Sequence, residues 1–600
     1  MNPRLPNPSN DGRHVVTVAL EDYYHVGAFH ELIQRGEWYR FESRLEASTR
    51  RTLELLEAYG ARATFFTLGW VADVMPELVR EVAERGHEVA SKGYYHRDVS
   101  RMSPEEFRED LARAREALRR ATGQAILGYR VAESWFGPRD EWALDVLADE
   151  GYAYDSSTAP MGFDVAPSSE RRYQHAHHFG DRTMQEFPIS TMNLGGWLLP
   201  IGGGNYVRQL PPWFVHLGVN RWMRQRRAPF VLYFHAWELD PEQPRISAAS
   251  FSQRVRHYRN LARMEGRLEW FLSRWRFMPI AEYLGLSTVG DRPAEPLKRR
   301  PASVVDDGID THVRTPVPQR AGVGASARTP VTVVVPCYNE ELILPYLANT
   351  LKSVEERLGA RYAIEYVFVD DGSTDATFAS LQRLFGARAE SQVLQMRENT
   401  GVAGAILRGI TAARTEIVCS IDCDCTYDPH RLAEMIPLLT DDVSMVTASP
   451  YHADGHVRNV PDWRLFLSRN LSWLYRRVLH NKLATYTSCF RVYRRSRVAG
   501  VPLTRGGFLG VTELLCRLDL SGDRIVEFPA TLEVRIIGRS KLKVLRTILG
   551  HLRLLAGLIP RRWFGRHDWV IRTAMEESGR ATGAGRETSA ERTKEVVSGG

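Results

Sequence analysis

Residues 290–329, GDRPAEPLKRRPASVVDDGIDTHVRTPVPQRAGVGASART, constrain this chain more than any other segment. The run is rich in Pro, Gly, Ser and charge and shows neither a helical nor a two-residue apolar period, so it predicts a flexible linker. On either side lie stretches long enough to form a domain each, 14–289 and 330–565. Residues 1–13 and 566–600 are polar and read as disordered ends. One continuous core across 600 residues is thereby excluded, and no internal repeat points to a solenoid.

Composition narrows the function classes. A hydrophobic share of 44% and a charged share of 25% are ordinary for globular domains and exclude a fibre or a mostly disordered chain. The net charge of +7 is small for this length, which argues against nucleic acid as partner while suiting a protein that touches anionic lipid or phosphate. All 6 cysteines (Cys337, Cys419, Cys423, Cys425, Cys489 and Cys516) follow position 330, in apolar runs without zinc-knuckle spacing. They read as reduced core residues of a cytoplasmic protein. The first residues, MNPRLPNPSNDGRH, lack the apolar region of a signal peptide. No apolar stretch reaches about 18 residues, so no spanning helix is expected.

The first unit alternates strand-like and helix-like segments. Strands are expected at 14–19, 63–68, 89–91 and 231–235, with helices at 45–59, 76–85 and from about 104. That order predicts a mostly parallel sheet covered by helices, with chemistry at the C-terminal strand ends. Along it lie EDYYHV, GHEVASKGYYHRDVS, GYRVAESWFGP, YDSS and YFHAWELDPEQPRIS. In this order the motifs resemble the polysaccharide deacetylase (NodB-like) family, most of all its exopolysaccharide-associated branch. The resemblance implies a distorted (β/α) barrel of about seven strands. It also implies a metal held by one carboxylate and two histidines, an aspartate base and a histidine acid.

The chain departs from that pattern where chemistry is concentrated. A D-x-E-D is expected at the first strand, but Ala19-Leu20-Glu21-Asp22 stands there; the base position reads as Ala19. The H-x-x-x-H element reads Lys92-Gly93-Tyr94-Tyr95-His96, and a charged ammonium repels a dication. Arg130 opens the third motif, and Asp155 and His235 stand where the resemblance places them. The expectation is a degenerate pocket of Glu21, Asp22, Lys92, His96, Arg130, Asp155 and His235 that holds no zinc. In it the Lys92 ammonium pairs with Asp22 and sugar still binds.

The second unit opens with VTVVVPCYNEEL, continues with EYVFVDDGSTD and QMRENTGVAG, and reaches EIVCSIDCDCTYDP. Strands and helices alternate, and acidic groups gather at one sheet edge, the layout of a nucleotide site. The closing D-x-D, Asp422 and Asp424, suits a hard divalent cation that neutralises a departing diphosphate. This run resembles family 2 glycosyltransferases of the GT-A fold. TSCFRVYRR at 487–495, followed by GF at 507–508, Glu513 and RIIGRSK at 535–541, is similar to the dolichyl-phosphate mannose synthases.

That resemblance implies inverting transfer from a nucleotide-diphosphate sugar, GDP-mannose-like, to a polyprenyl phosphate. Pro336, Tyr338, Glu340 and Asp371 would hold the nucleoside. Asp422 and Asp424, with the backbone at Cys423, would hold the diphosphate and Mg2+ or Mn2+. Arg535 and Lys541 would pair with phosphate oxygens, and Arg491, Arg494 and Ser540 would meet the acceptor phosphate. The acceptor places the protein at the inner face of the cell membrane. Residues 541–565, KLKVLRTILGHLRLLAGLIPRRWFG, have the composition of an interfacial helix. Two alternatives stay open at this point: a bifunctional synthase and working deacetylase, and a sugar-binding scaffold without catalysis.

Overall fold

Seven parallel strands form the frame of the first unit. In spatial order they are Val231–His235, Arg13–Leu20, Thr64–Thr67, Glu88–Ser91, Gly128–Tyr129, Tyr154–Asp155 and Arg182–Glu186. His175–Phe179 adds an antiparallel edge, and Arg276–Met278 pairs with the first strand. The outer side of Val231–His235 is met by the 190–203 segment: Val231 N donates to Ser190 Oγ at 2.9 Å and Tyr233 N to Gly202 O at 2.7 Å. The barrel is thus closed by single bonds and a short bridge rather than a full ladder, which is its distortion. The central strands are buried on both faces, VVTVA and TFFT being near-continuous apolar runs, as a helix-covered parallel sheet requires.

The computed structural model describes residues 12–290 apart from 164, 167, 226 and 227, and residues 328–563 apart from 461 and 539–543. The chain divides into two compact units at residues 315 and 316. Most of the expected linker, residues 1–11 and 566–600 of the expected ends, Ser540 and Lys541 lie outside the described residues, while Arg13, expected in the disordered N-terminal end, opens the first strand.

In the second unit the sheet runs Ser391–Gln395, Tyr362–Asp370, Thr329–Cys337, Ile417–Ser420, Arg491–Arg494, Val443–Ser449 and Arg524–Pro529. All neighbours are parallel except Arg491–Arg494, which runs antiparallel between its two partners. Tyr362–Asp370, Thr329–Cys337 and Ile417–Ser420 are rich in β-branched residues, and each delivers its motif residues to the same sheet edge. At that edge Gly401 adopts φ +82 before the helix Val402–Ala412, where a Cβ would sit 2.4 Å from Gly507 N. Helices Asp462–Val478 and Val544–Trp563 pack on each other, tied by Tyr475 OH to His551 Nδ1 at 2.9 Å.

Candidate functional site

The D-x-D follows the strand Ile417–Ser420 directly. Cys425 takes φ 51 and its N–H returns to Asp422 O at 3.0 Å, a tight turn that brings both carboxylates to one place. Asp422 is pushed up to about 7, first by its withdrawal from water and then by the Asp424 carboxylate beside it. Two mutually repelling oxygen donors of this kind suit a hard dication, whose other positions are filled by water or ligand oxygens. Among the described residues no third His, Cys, Asp or Glu completes a cluster with them.

Arg535 arrives from the loop after the strand Thr531–Leu532. Its guanidinium makes a double contact with Glu340, Nη1 to Oε1 at 3.0 Å and Nη2 to Oε2, and lies 3.7 Å from Asp424 Oδ2. Pro336, Tyr338 and Glu340 are half-buried at the end of Thr329–Cys337, with Asn339 between the last two at φ 52. The Asn339 amide oxygen accepts from Thr374 N at 2.7 Å and so fastens this strand end to the DDGSTD turn. Cys423 is buried with its Sγ 3.6 Å from Cys337 Sγ.

Three of the expected site residues have partners within the fold. Asp371 is buried, and its carboxylate accepts from Thr400 N and Gly401 N at 2.8 Å each. In doing so it shapes the loop before Val402–Ala412. Arg491 is wholly buried and donates to Val511 O and Tyr486 O at 2.8 and 2.9 Å. Arg494 pairs in register with Ile417, at the start of the strand whose other end carries Asp422, and donates to Thr440 O. The antiparallel insertion turns this strand so that Arg494 sits at the sheet edge opposite the acidic turn. Neither arginine is placed to meet an acceptor phosphate.

In the first unit Glu21 forms the floor of the pocket. Fully buried past the end of Arg13–Leu20, it accepts from Lys92 Nζ at 2.6 Å and from His235 Nδ1 at 2.5 Å, and lies 3.5 Å from His96 Nε2. Burial alone would raise its pKa; the Lys92 ammonium, followed by His235, holds it well below the ordinary value. Burial, then Lys92, pushes His96 down to about 3, so its imidazole is neutral. Tyr233 OH contacts His235 Nε2, and Glu133 lies 4.0 Å from His96 Nδ1 and 3.0 Å from His30 Nδ1.

This arrangement revises the expected pocket. Lys92 pairs with Glu21, not with Asp22. Asp22 is the acceptor for Tyr23 N, Ser43 Oγ, Arg44 N and Leu45 N and so fixes the start of the helix Leu45–Ala58. Burial raises it to about 6. Ala19 is buried within the strand, between Phe66 and His235, so the pocket carboxylate is Glu21 and no base position is left at Ala19. Arg130 braces the barrel through Thr17 Oγ1 and Ser156, its guanidinium over Phe66 and Tyr233. Asp155 accepts from Ser157, with burial and the Glu186 carboxyl raising its pKa well above the usual range. The donor set does not suit zinc: both Asp22 oxygens are engaged elsewhere, and an ammonium lies against the one pocket carboxylate. Sequence reading missed Tyr233, which period-two alternation puts on the face of His235. It also missed Glu133 and Glu186, which carry no local signal.

The chain matches the polysaccharide deacetylase family over residues 38–154, a domain of unknown function (DUF3473) over 156–285, and glycosyl transferase family 2 over 332–499. A dolichol-phosphate mannosyltransferase of Pyrococcus furiosus is 29% identical over 247 residues, 41% of this chain and 67% of the relative. A polyprenol monophosphomannose synthase of Mycolicibacterium smegmatis is 27% identical over 35% of this chain and 80% of its own length. An undecaprenyl-phosphate 4-deoxy-4-formamido-L-arabinose transferase of Pseudomonas paraeruginosa is 34% identical over 28% of this chain and 48% of its own.

Proposed function

We propose that this chain, which joins a polysaccharide deacetylase domain to a family 2 glycosyltransferase domain of GT-A fold, transfers a sugar from a nucleotide diphosphate to a polyprenyl phosphate. The observation that carries the reading is the convergence of Asp422, Asp424, Glu340 and Arg535 at one sheet edge. Asp422 and Asp424 would hold Mg2+ or Mn2+, which supplies charge neutralisation for the departing diphosphate. Arg535 adds a fixed cation beside them, positioned by Glu340. An acceptor phosphate oxygen attacks the anomeric carbon as its bond to the diphosphate breaks, with inversion. That oxygen is already ionised, so no side chain has to remove a proton. Relatives that act on mannosyl donors favour a GDP-mannose-like donor.

The acceptor calls for a membrane surface, and two packed helices support one. Asp462–Val478 exposes Trp463, Phe466 and Trp473 on one stripe, and Val544–Trp563 exposes Leu549, Leu552, Ile559 and Trp563 on another. Arg464, Arg469, Arg476, Arg477, Arg553, Arg561 and Arg562 accompany them, with Asp462 the one acidic residue of the two helices. Apolar stripes bordered by arginine match an anionic interface. Among the described residues no helix is long and apolar enough to cross a membrane. The deacetylase domain, in this reading, binds sugar without hydrolysing it, because Lys92 stands against Glu21 where a metal would be needed.

The test is a panel of nucleotide sugars with a short-chain polyprenyl phosphate. Wild type should transfer one sugar in Mg2+ or Mn2+, and Asp424→Ala should lose transfer by about two decades or more. Full activity of the folded variant in EDTA would remove the D-x-D from the reaction.

A further inference from the structure

We infer that the first unit carries a membrane-docking face of its own, formed by the helix Pro212–Gln225 and the hairpin Thr191–Leu194/Trp197–Pro200, which seats on a bilayer of anionic phospholipid. Both elements belong to the segment of unknown function, 156–285, and the face does not depend on the apolar stripes of the second unit.

The helix is anchored by one side and leaves the other uncovered. Its buried residues are Val215, Gly218, Val219 and Trp222. His216 stacks on Trp270 at 3.7 Å. A Cβ at Gly218 would lie 3.0 Å from Met192 Sδ and 3.2 Å from Ile201, so helix and hairpin meet closely there. Away from these contacts Trp213 and Leu217, an i,i+4 pair on one face, are 68% and 57% exposed. Arg221 and Arg224 continue that face toward the C-terminal end, and both are exposed. At the turn of the hairpin Leu194 and Trp197 are 39% and 41% exposed, and Phe163 is exposed beside them, its ring 3.9 Å from where a Gly196 Cβ would sit. Between helix and hairpin lies a pocket lined by Arg172, Thr191, Asn193, Arg221, Trp222 and Gln225. Thr191 holds Arg172 in place, accepting from Nε at 3.1 Å through its hydroxyl and from Nη2 at 2.6 Å through its carbonyl, with the guanidinium 5.4 Å from the Trp222 ring.

Charge selects the occupant. From Phe187 to Trp237 the sequence contains no Asp or Glu, while Arg208, Arg221, Arg224, Arg226 and Arg227 all fall within it. Arg208 is engaged in a buried pair with Glu238. Among the described residues no carboxylate pairs with Arg221 or Arg224. Glu170, the acidic residue nearest the pocket lining in sequence, is followed directly by Arg171 and Arg172. Exposed Trp and Leu bordered by unpaired cations suit the boundary between headgroups and acyl chains. The apolar side chains enter that boundary, and Arg221 and Arg224 meet lipid phosphates at its surface. The pocket between Arg172 and Arg221 takes one headgroup phosphate, where guanidinium forks match its oxygens. A two-fold contact with a second copy of the chain would instead set these arginines against their own counterparts.

A fluorophore placed on this face tests the inference in the full chain. All 6 native cysteines are buried, so Leu217→Cys accepts an environment-sensitive label selectively. The background carries Trp463→Ala, Phe466→Ala and Trp473→Ala, which weakens the second unit's own hold on the vesicle. Phosphatidylglycerol vesicles should shift the label's emission to the blue, and nitroxide-bearing lipid in them should quench it; phosphatidylcholine vesicles should do neither. Arg221→Gln/Arg224→Gln should raise the midpoint of the lipid titration by about tenfold or more. A label left unquenched at saturating phosphatidylglycerol, or a double variant with an unchanged midpoint, overturns the docking face. The same blue shift with inorganic phosphate alone would mark a site for a free anion, and a shift that grows with protein concentration without vesicles would mark a contact between copies. Either result overturns the bilayer as occupant.

Discussion

Replacing Lys92 by methionine isolates the central interaction of the first unit. The ammonium lies 2.6 Å from Glu21, with the two side chains 2% and 0% exposed. Removing one partner of so buried a pair leaves an uncompensated carboxylate and costs about 3–5 kcal/mol. His235 Nδ1 stays on the other Glu21 oxygen, which places the expected loss at the low end, about 3 kcal/mol. Hydrogen exchange in the intact chain reads this unit by unit. Amides of Arg13–Leu20 and Val231–His235 that exchange through unfolding of the unit should exchange about a hundredfold faster in Lys92→Met, and those of Thr329–Cys337 should not change. Adding Glu21→Gln removes the stranded charge and should recover most of the loss. The sign with pH follows from Glu21: its folded pKa is depressed below the ordinary 4.5, so the pair's stabilisation is present above that value and is lost as pH falls through the folded pKa. Near-equal exchange of the two proteins at pH 7, or a double variant no more protected than the single one, would refute the buried pair.

Two further outcomes follow from placement. Arg491→Met removes one donor each from the Val511 and Tyr486 carbonyls and a buried guanidinium from the core, so it should destabilise the second unit by about 2–4 kcal/mol while the folded fraction keeps its KM for the acceptor. A stable variant whose acceptor KM rises tenfold would return this residue to the acceptor site. Alanine at Trp463, Phe466 and Trp473 together should weaken binding to phosphatidylglycerol vesicles by about two decades and leave transfer to a short water-soluble acceptor unchanged. Undiminished vesicle binding by that variant would mean the stripe faces something other than lipid.

Sequence alone determined the α/β alternation, many of the strands and the gathering of acidic motif residues at one sheet edge. Runs such as TVVVPC and VFVDD are strands because β-branched residues in short apolar runs suit a sheet buried on both faces. A motif residue directly after such a run is carried to the strand's C-terminal end, which is why Glu340, Asp422 and Asp424 were legible together. What the sequence could not decide depended on contacts between distant segments. Glu21 and Asp22 both follow the strand Arg13–Leu20, and spacing alone does not say which of the two enters the pocket. The choice fell to Glu21 because the N–H groups of Arg44 and Leu45, more than twenty positions on, capture Asp22. Likewise RVYR is readable as a strand, but its antiparallel insertion between Ile417–Ser420 and Val443–Ser449 is a matter of sheet order. That insertion buried Arg491 and carried Arg494 to the far edge. Local propensity and motif spacing fix where a residue leaves the chain; only tertiary packing fixes which neighbour its charge meets.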